Sequence, residues 1–91
     1  MQHINTQKAK IYLEILGQII KEERLKQNKS QRLLADEFDI QKSMLSRIES
    51  ATNEVKIISL LTISEALGIK LSELFLKVEK EIPKDFSLID K

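Results

Sequence analysis

Residues 30–50, SQRLLADEFDIQKSMLSRIES, carry a helical apolar rhythm that breaks and restarts. Leu34, Ala35 and Phe38 fall on one face of a first short helix, and Leu45 and Ile48 on one face of a second, with Asp39 at the break. A tight turn between two helices often needs a residue at positive φ, where glycine is best and Asn or Asp is tolerated. Asp39 therefore reads as the turn, and the chain must fit two small helices rather than one long one. The second is lined by Gln41, Lys42, Ser43, Ser46 and Arg47, all polar and able to hydrogen-bond.

The rest of the chain extends the helical reading. With 91 residues it has the length of one domain, near the small end of what folds without covalent staples. It has no Cys, which excludes disulfides and thiolate metal sites. Its single histidine, His3, makes no metal set. Two Gly and one Pro leave little turn chemistry for a sheet protein, so an all-α fold is expected. No apolar run approaches the ~20 residues of a membrane span, and IYLEILGQII is broken by Glu14 and Gln18. A soluble, cytoplasmic protein is the expectation.

Five helices are predicted. The first runs from about Thr6, a candidate N-cap, to Leu25, with Ile11, Ile15, Leu16, Ile19 and Ile20 as its apolar stripe. Ser30 caps a second from Gln31 to Phe38, and a third runs from Lys42 to about Ser50. A fourth, Ile57 to Leu67, is expected to bury Ile57, Leu60, Leu61, Ile63 and Leu67 and to stop at Gly68. A fifth runs from Leu71 to about Glu81, before Pro83. The expected core is Leu16, Ile20, Leu34, Ala35, Phe38, Ile40, Leu45, Ile48, Leu60, Ile63, Leu67 and Leu74.

Net charge is only +1, but its distribution is uneven. The segment from Arg24 to Lys56 has seven basic and five acidic residues, and the remainder from Ile57 has five and six. The excess is mild and central: the total charge argues weakly against a nucleic-acid partner, and charge alone fits an ordinary mixed surface as well.

Two short helices with a tight turn, inside a five-helix plan, is the layout of a helix-turn-helix domain. The sequence resembles the lambdoid-repressor-like (Cro/C1-type, XRE) helix-turn-helix regulators. The likeness is carried by Ser30-Gln31-x-x-Leu34-Ala35 and then Ser43-Met44-Leu45-Ser46-Arg47-Ile48-Glu49. Upstream it takes in Leu16-Gly17, Ile20 and Arg24; downstream, Glu65-Ala66-Leu67-Gly68-Ile69 and Leu71-Ser72-Glu73-Leu74-Phe75. It departs from the family pattern at Asp39 and Ala51, where glycine is usual, and at Val55, where proline is common.

The resemblance implies a five-helix, lambda-repressor-like DNA-binding domain over residues 16–75. Residues 1–15 extend the first helix, and residues 76–91 form the end of the fifth helix and a tail. It implies a recognition helix at about 42–50 in the major groove, with Gln41, Lys42, Ser43 and Arg47 as base readers. Lys29, Gln31 and Ser46 are expected to hold or position phosphates. Arg24 and Glu49 are expected to pair as a salt bridge between the first and third helices. The tail carries more apolar surface than so small a domain hides, so Leu74, Phe75, Val78, Phe86 and Leu88, with Ile82 and Ile89, are expected to form a homodimer contact.

The leading expectation is a sequence-specific transcriptional regulator that binds a pseudo-palindromic operator as a homodimer. It would be a small repressor, a restriction–modification controller or an antitoxin with a cognate toxin or other protein partner. The alternative is a protein-interaction module that uses the helix-turn-helix as scaffold. An enzyme is not expected, since no catalytic set converges, and no cofactor or metal is implied.

Overall fold

The computed structural model describes residues 3–4 and 6–90. Five helices follow in order: α1 (Thr6–Lys26), α2 (Gln31–Phe38), α3 (Lys42–Glu49), α4 (Ile57–Leu67) and α5 (Leu71–Glu81). A two-residue antiparallel ladder joins the two ends of the chain, with β1 (His3–Ile4) against β2 (Ile89–Asp90), Ile4 opposite Ile89. It adds no layer to the domain, and the architecture is all-α and lambda-repressor-like.

Local chemistry explains the breaks. Ser30 has extended backbone, and its Oγ accepts the Leu33 N–H at 3.0 Å, a side-chain cap for α2. Asp39 ends α2 in the left-handed region, at φ 54° and ψ 44°, and the Ile40 N–H closes on the Ala35 carbonyl at 2.9 Å. Ala51 does the same after α3, at φ 56°. Its N–H reaches the Ile48 carbonyl at 3.2 Å, and the Thr52 N–H reaches that of Arg47 at 3.1 Å. This pair of bonds is the Schellman pattern, built here on an alanine rather than a glycine. Gly68 terminates α4 at φ 71°. Thr6 lies within the first turn of α1 rather than before it, and α3 ends at Glu49 with Ser50 as its C-cap.

Helix α1 is the spine: α3 and α5 pack on it, α2 packs on α3, and α4 packs on α5. Ile20, Leu34, Leu45, Ile63, Leu74 and Val78 are fully buried where these helices meet. Leu16, Ile19, Ile40, Ile48, Leu60, Ala66 and Leu67 complete the core.

Four expectations of burial are corrected. Phe38 is 47% exposed: it is the last residue of α2, and the Lys29 ammonium lies 5.7 Å from its ring centroid. Ile57 and Leu61 are exposed because α4 turns Leu60, Ile63, Ala66 and Leu67 inward and leaves them on its outer side with Thr62 and Glu65. Ile11 also lies at the surface. Leu74 is buried as expected of a core residue, and Val78 is buried with it, so neither side chain is exposed for the dimer contact also expected of them. Phe75 and Ile82 pack partly buried against that core.

Candidate nucleic-acid interface

Helix α3 divides cleanly into an inner and an outer face. Leu45 and Ile48 are buried, which aims Ser43, Ser46 and Arg47 away from the domain, at helical angles opposite the core. Gln41, Lys42, Ser43 and Arg47 are exposed, and Ser46 is half-buried. Gln41 occupies the N-cap position yet makes no side-chain cap bond, so its amide remains available. Among the described residues no carboxylate pairs with Lys42 or Arg47. Two uncompensated cations and an uncommitted amide therefore stand together on the outer side of one short helix.

The helix is anchored at its far end by a clamp. Arg24, only 6% exposed, sends Nε to Glu49 Oε2 at 2.8 Å and Nη2 to Oε1 at 2.8 Å. Its remaining nitrogen, Nη1, donates to the Lys29 carbonyl at 2.7 Å. Gln31 Nε2 donates to the same Glu49 Oε1 at 3.1 Å. One guanidinium thus fixes the end of α3, the loop before α2 and, through Glu49, the first residue of α2. The bond to Glu49 raises the Arg24 pKa, and burial works against it. The expected Arg24–Glu49 pair is present, bidentate and buried.

Lys29 and Gln31 are partly committed within the protein. The Lys29 ammonium pairs with Glu37 Oε1 at 2.9 Å, so its charge is locally compensated. Gln31 leans on Glu49, while its backbone N–H lies at the open, positive start of α2. Phe86 is half-buried and Leu88 is exposed, both in a cleft where the tail returns toward Tyr12 on α1.

Two features gain a role that the sequence reading does not assign: a cleft beside α3, and Gly17, which enters that reading only as part of the family pattern. An open cleft of about 250 Å³ runs beside α3, lined by Gln41, Met44, Arg47, Asn53, Lys56 and Ser59 among others. Lys56 belongs to the basic central segment, which was its only signal. Gly17 is the second. A Cβ there would sit 2.4 Å from the Ile48 carbonyl oxygen and 2.7 Å from that of Glu49, so α1 and α3 touch backbone to backbone.

No helix among the described residues is long and apolar enough to cross a membrane. The Helix-turn-helix family profile matches residues 20–74, more than half of the chain. Control protein C.MunI of Mycoplasma sp is 42% identical over 52 residues, which cover 57% of this chain and 70% of that protein. A variant of the restriction-modification controller protein C.Esp1396I superposes with a TM-score of 0.71 at 28% identity, covering 82% of this chain and 95% of the other. The clp gene regulator ClgR from C. glutamicum superposes with a TM-score of 0.70 at 22% identity, over 79% of this chain and 92% of that one. That last likeness is one of fold.

Proposed function

The chain belongs to the XRE-type helix-turn-helix family of DNA-binding transcription regulators, and from that premise we propose that it binds a pseudo-palindromic operator as a homodimer, in the manner of a restriction–modification controller. The observation that carries this reading is the unpaired Lys42 and Arg47 beside the uncommitted Gln41, on a helix whose inner face and far end are both fixed. A helix held in this way presents its outer side to a major groove ~12 Å wide without reorganising.

Roles follow from donor chemistry. Arg47 and Lys42 match the O6 and N7 acceptors of guanine, and Gln41 matches adenine N6 and N7. Ser43 adds a short hydroxyl at the same surface. Gln31, at the positive start of α2, and Ser46, half-buried beside the readers, position the backbone. Lys29 adds a smaller share, since Glu37 already neutralises it. Asn53 and Lys56, across the cleft from Arg47, extend the phosphate contacts beyond the two-helix motif. One motif reads only a few base pairs, so two copies about one helical turn apart supply the specificity.

Among the small regulators that the sequence resembles, the controller reading is supported by the relatives: one is named a control protein, the other a restriction-modification controller. Selection from random duplexes tests the proposal. The expected product is an enriched site with two inverted half-sites. A pool that stays random after repeated rounds would contradict it.

A further inference from the structure

Among the described residues, Asn28, Asp39 and Ala51 are the non-glycine positions in the left-handed region. Asn and Asp enter that region readily, because their short polar side chains bond locally. Alanine has no such help, and its Cβ crowds the carbonyl oxygen that follows it. Ala51, at φ 56°, is therefore the strained one of the three. It is also buried, so a change of its dihedrals would move a packed methyl group. Strain of this kind persists only where the surroundings over-determine it.

The bonds that hold Ala51 converge on one atom. The Arg47 carbonyl oxygen accepts from the Thr52 N–H at 3.1 Å and from the Ser50 hydroxyl at 3.2 Å. Ser50 has a single hydroxyl proton, and it is spent there. The 2.6 Å bond between the Ser50 and Thr52 hydroxyls therefore takes its proton from Thr52. Thr52 Oγ1, Ser50 Oγ and the Arg47 carbonyl form a relay that brackets Ala51 from both sides. Beyond it the loop runs to Val55, which packs on the core, and to Lys56, the N-cap residue of α4. Asn53 and Lys56 are exposed on this loop and line the same cleft as Arg47. A turn that left the left-handed region at residue 51 would redirect the chain between that point and Val55.

We propose that Thr52 and Ser50 are positioning residues for DNA binding: their hydroxyls hold Ala51 left-handed and so keep Asn53 and Lys56 facing the phosphates beside Arg47. The proposal rests on the phosphate role given to this loop above, and adds what sets the loop in place. A loop ordered before it meets DNA loses no freedom on binding, so the relay is read out as affinity. Glycine at position 51 would need no relay, because it takes this backbone without a steric penalty.

Fluorescence anisotropy of the full chain on an enriched operator and on scrambled duplex, across a salt series, tests this. Thr52→Val keeps the side-chain shape and removes the relay. It should weaken binding to both duplexes by about threefold or more, and lower the salt slope by up to about 1, as loss of the Lys56 contact would. Thr52→Val alters no charge, so a changed slope reports that Lys56 has moved. Ser50→Ala should act in the same direction. Adding Ala51→Gly to Thr52→Val should restore the slope and bring affinity to within about twofold of the wild type. Helical circular dichroism should be the same throughout. A Thr52→Val protein that binds as the wild type does overturns the proposal. So does a loss that Ala51→Gly leaves uncorrected, which would make the Thr52 hydroxyl a direct DNA contact. Loss of helix in both Thr52→Val and Ser50→Ala would also overturn it, making the relay an element of folding. The two readings fail separately. A wild type with no preference for the operator loses the operator reading, while the slopes on scrambled duplex still decide the relay. A wild type that prefers the operator, with Thr52→Val unchanged, loses the relay alone.

Discussion

Gly17 sits against the carbonyl of Ile48, so close that a single added carbon would come to 2.4 Å of the oxygen. Helices α1 and α3 are therefore in contact through their backbones, at the end of α3 that the Arg24 clamp also holds. In an open helix, Gly→Ala would stabilise by about 1 kcal/mol. Here the neighbouring atoms are backbone and cannot rotate away, so Gly17→Ala is expected to destabilise by about 1–3 kcal/mol and to weaken DNA binding by tilting α3. Urea denaturation checks the first effect. A more stable variant would show that the two helices are not docked as described.

The Arg24–Glu49 pair retains only 7% and 4% of its side-chain exposure. Removing one partner leaves a buried charge without its counter-ion, at a cost of about 3–5 kcal/mol. Replacing both with apolar residues should recover much of that loss. A double-mutant cycle with Arg24→Met and Glu49→Leu should therefore give strong coupling. Coupling near zero would mean that the pair is worth no more than an exposed one, under about 1 kcal/mol.

Glu23 ties α1 to α5. Its Oε2 lies 2.8 Å from the Lys26 ammonium and 3.4 Å from that of Lys77. The hydrogen bond from Lys26 holds its pKa below the ordinary value of 4.5; burial opposes this, and Lys77 adds to the lowering. With the folded value lower than the unfolded one, the native state binds fewer protons. The contribution is complete above about pH 4.5 and is lost as pH falls through the lower, folded value. Denaturation curves from pH 7 to 3 should show a shallower acid loss in Glu23→Gln than in the wild type. Parallel profiles would remove Glu23 from the acid response.

Much of this molecule is legible in its sequence, for reasons particular residues make plain. Ser30 and Gly68 mark helix boundaries because capping is local chemistry, and Asp39 marks the turn because few residues accept its backbone. The Arg24–Glu49 pairing came from the family resemblance, since no local rule joins residues 25 positions apart. Periodicity failed where it had no contrast: the start of α4 is apolar on both sides, so Ile57 and Leu61 could not be told from Leu60 and Ile63. It also failed at Phe38, where the helix ends before anything can cover the ring. Val78 reads as interface, and Leu74 as both core and interface, because the sequence cannot show that α1 and α4 already close over α5. The role of Gly17 depends on a distance between two helices and has no signature in composition.

The phosphate and base contacts separate by salt dependence. Lys29 is already paired with Glu37, so Lys29→Ala should lower the salt slope of binding by less than the ~1 expected for a full phosphate contact. Lys56→Ala, which loses an unpaired cation, should lower it by about 1 on any sequence. A larger loss of slope from Lys29→Ala than from Lys56→Ala would reverse this assignment.

The central claim is that α3 reads bases, and mobility shifts on an enriched operator and on scrambled duplex, across a salt series, test it most directly. The wild type should prefer the operator. Arg47→Ala should lose about 1–3 kcal/mol per half-site on the operator, with Lys42→Ala losing in the same direction, and both should fall toward their affinity for scrambled DNA. Equal binding of both duplexes by the wild type, Arg47→Ala and Lys42→Ala would contradict the claim and leave the helix-turn-helix as a scaffold for another partner.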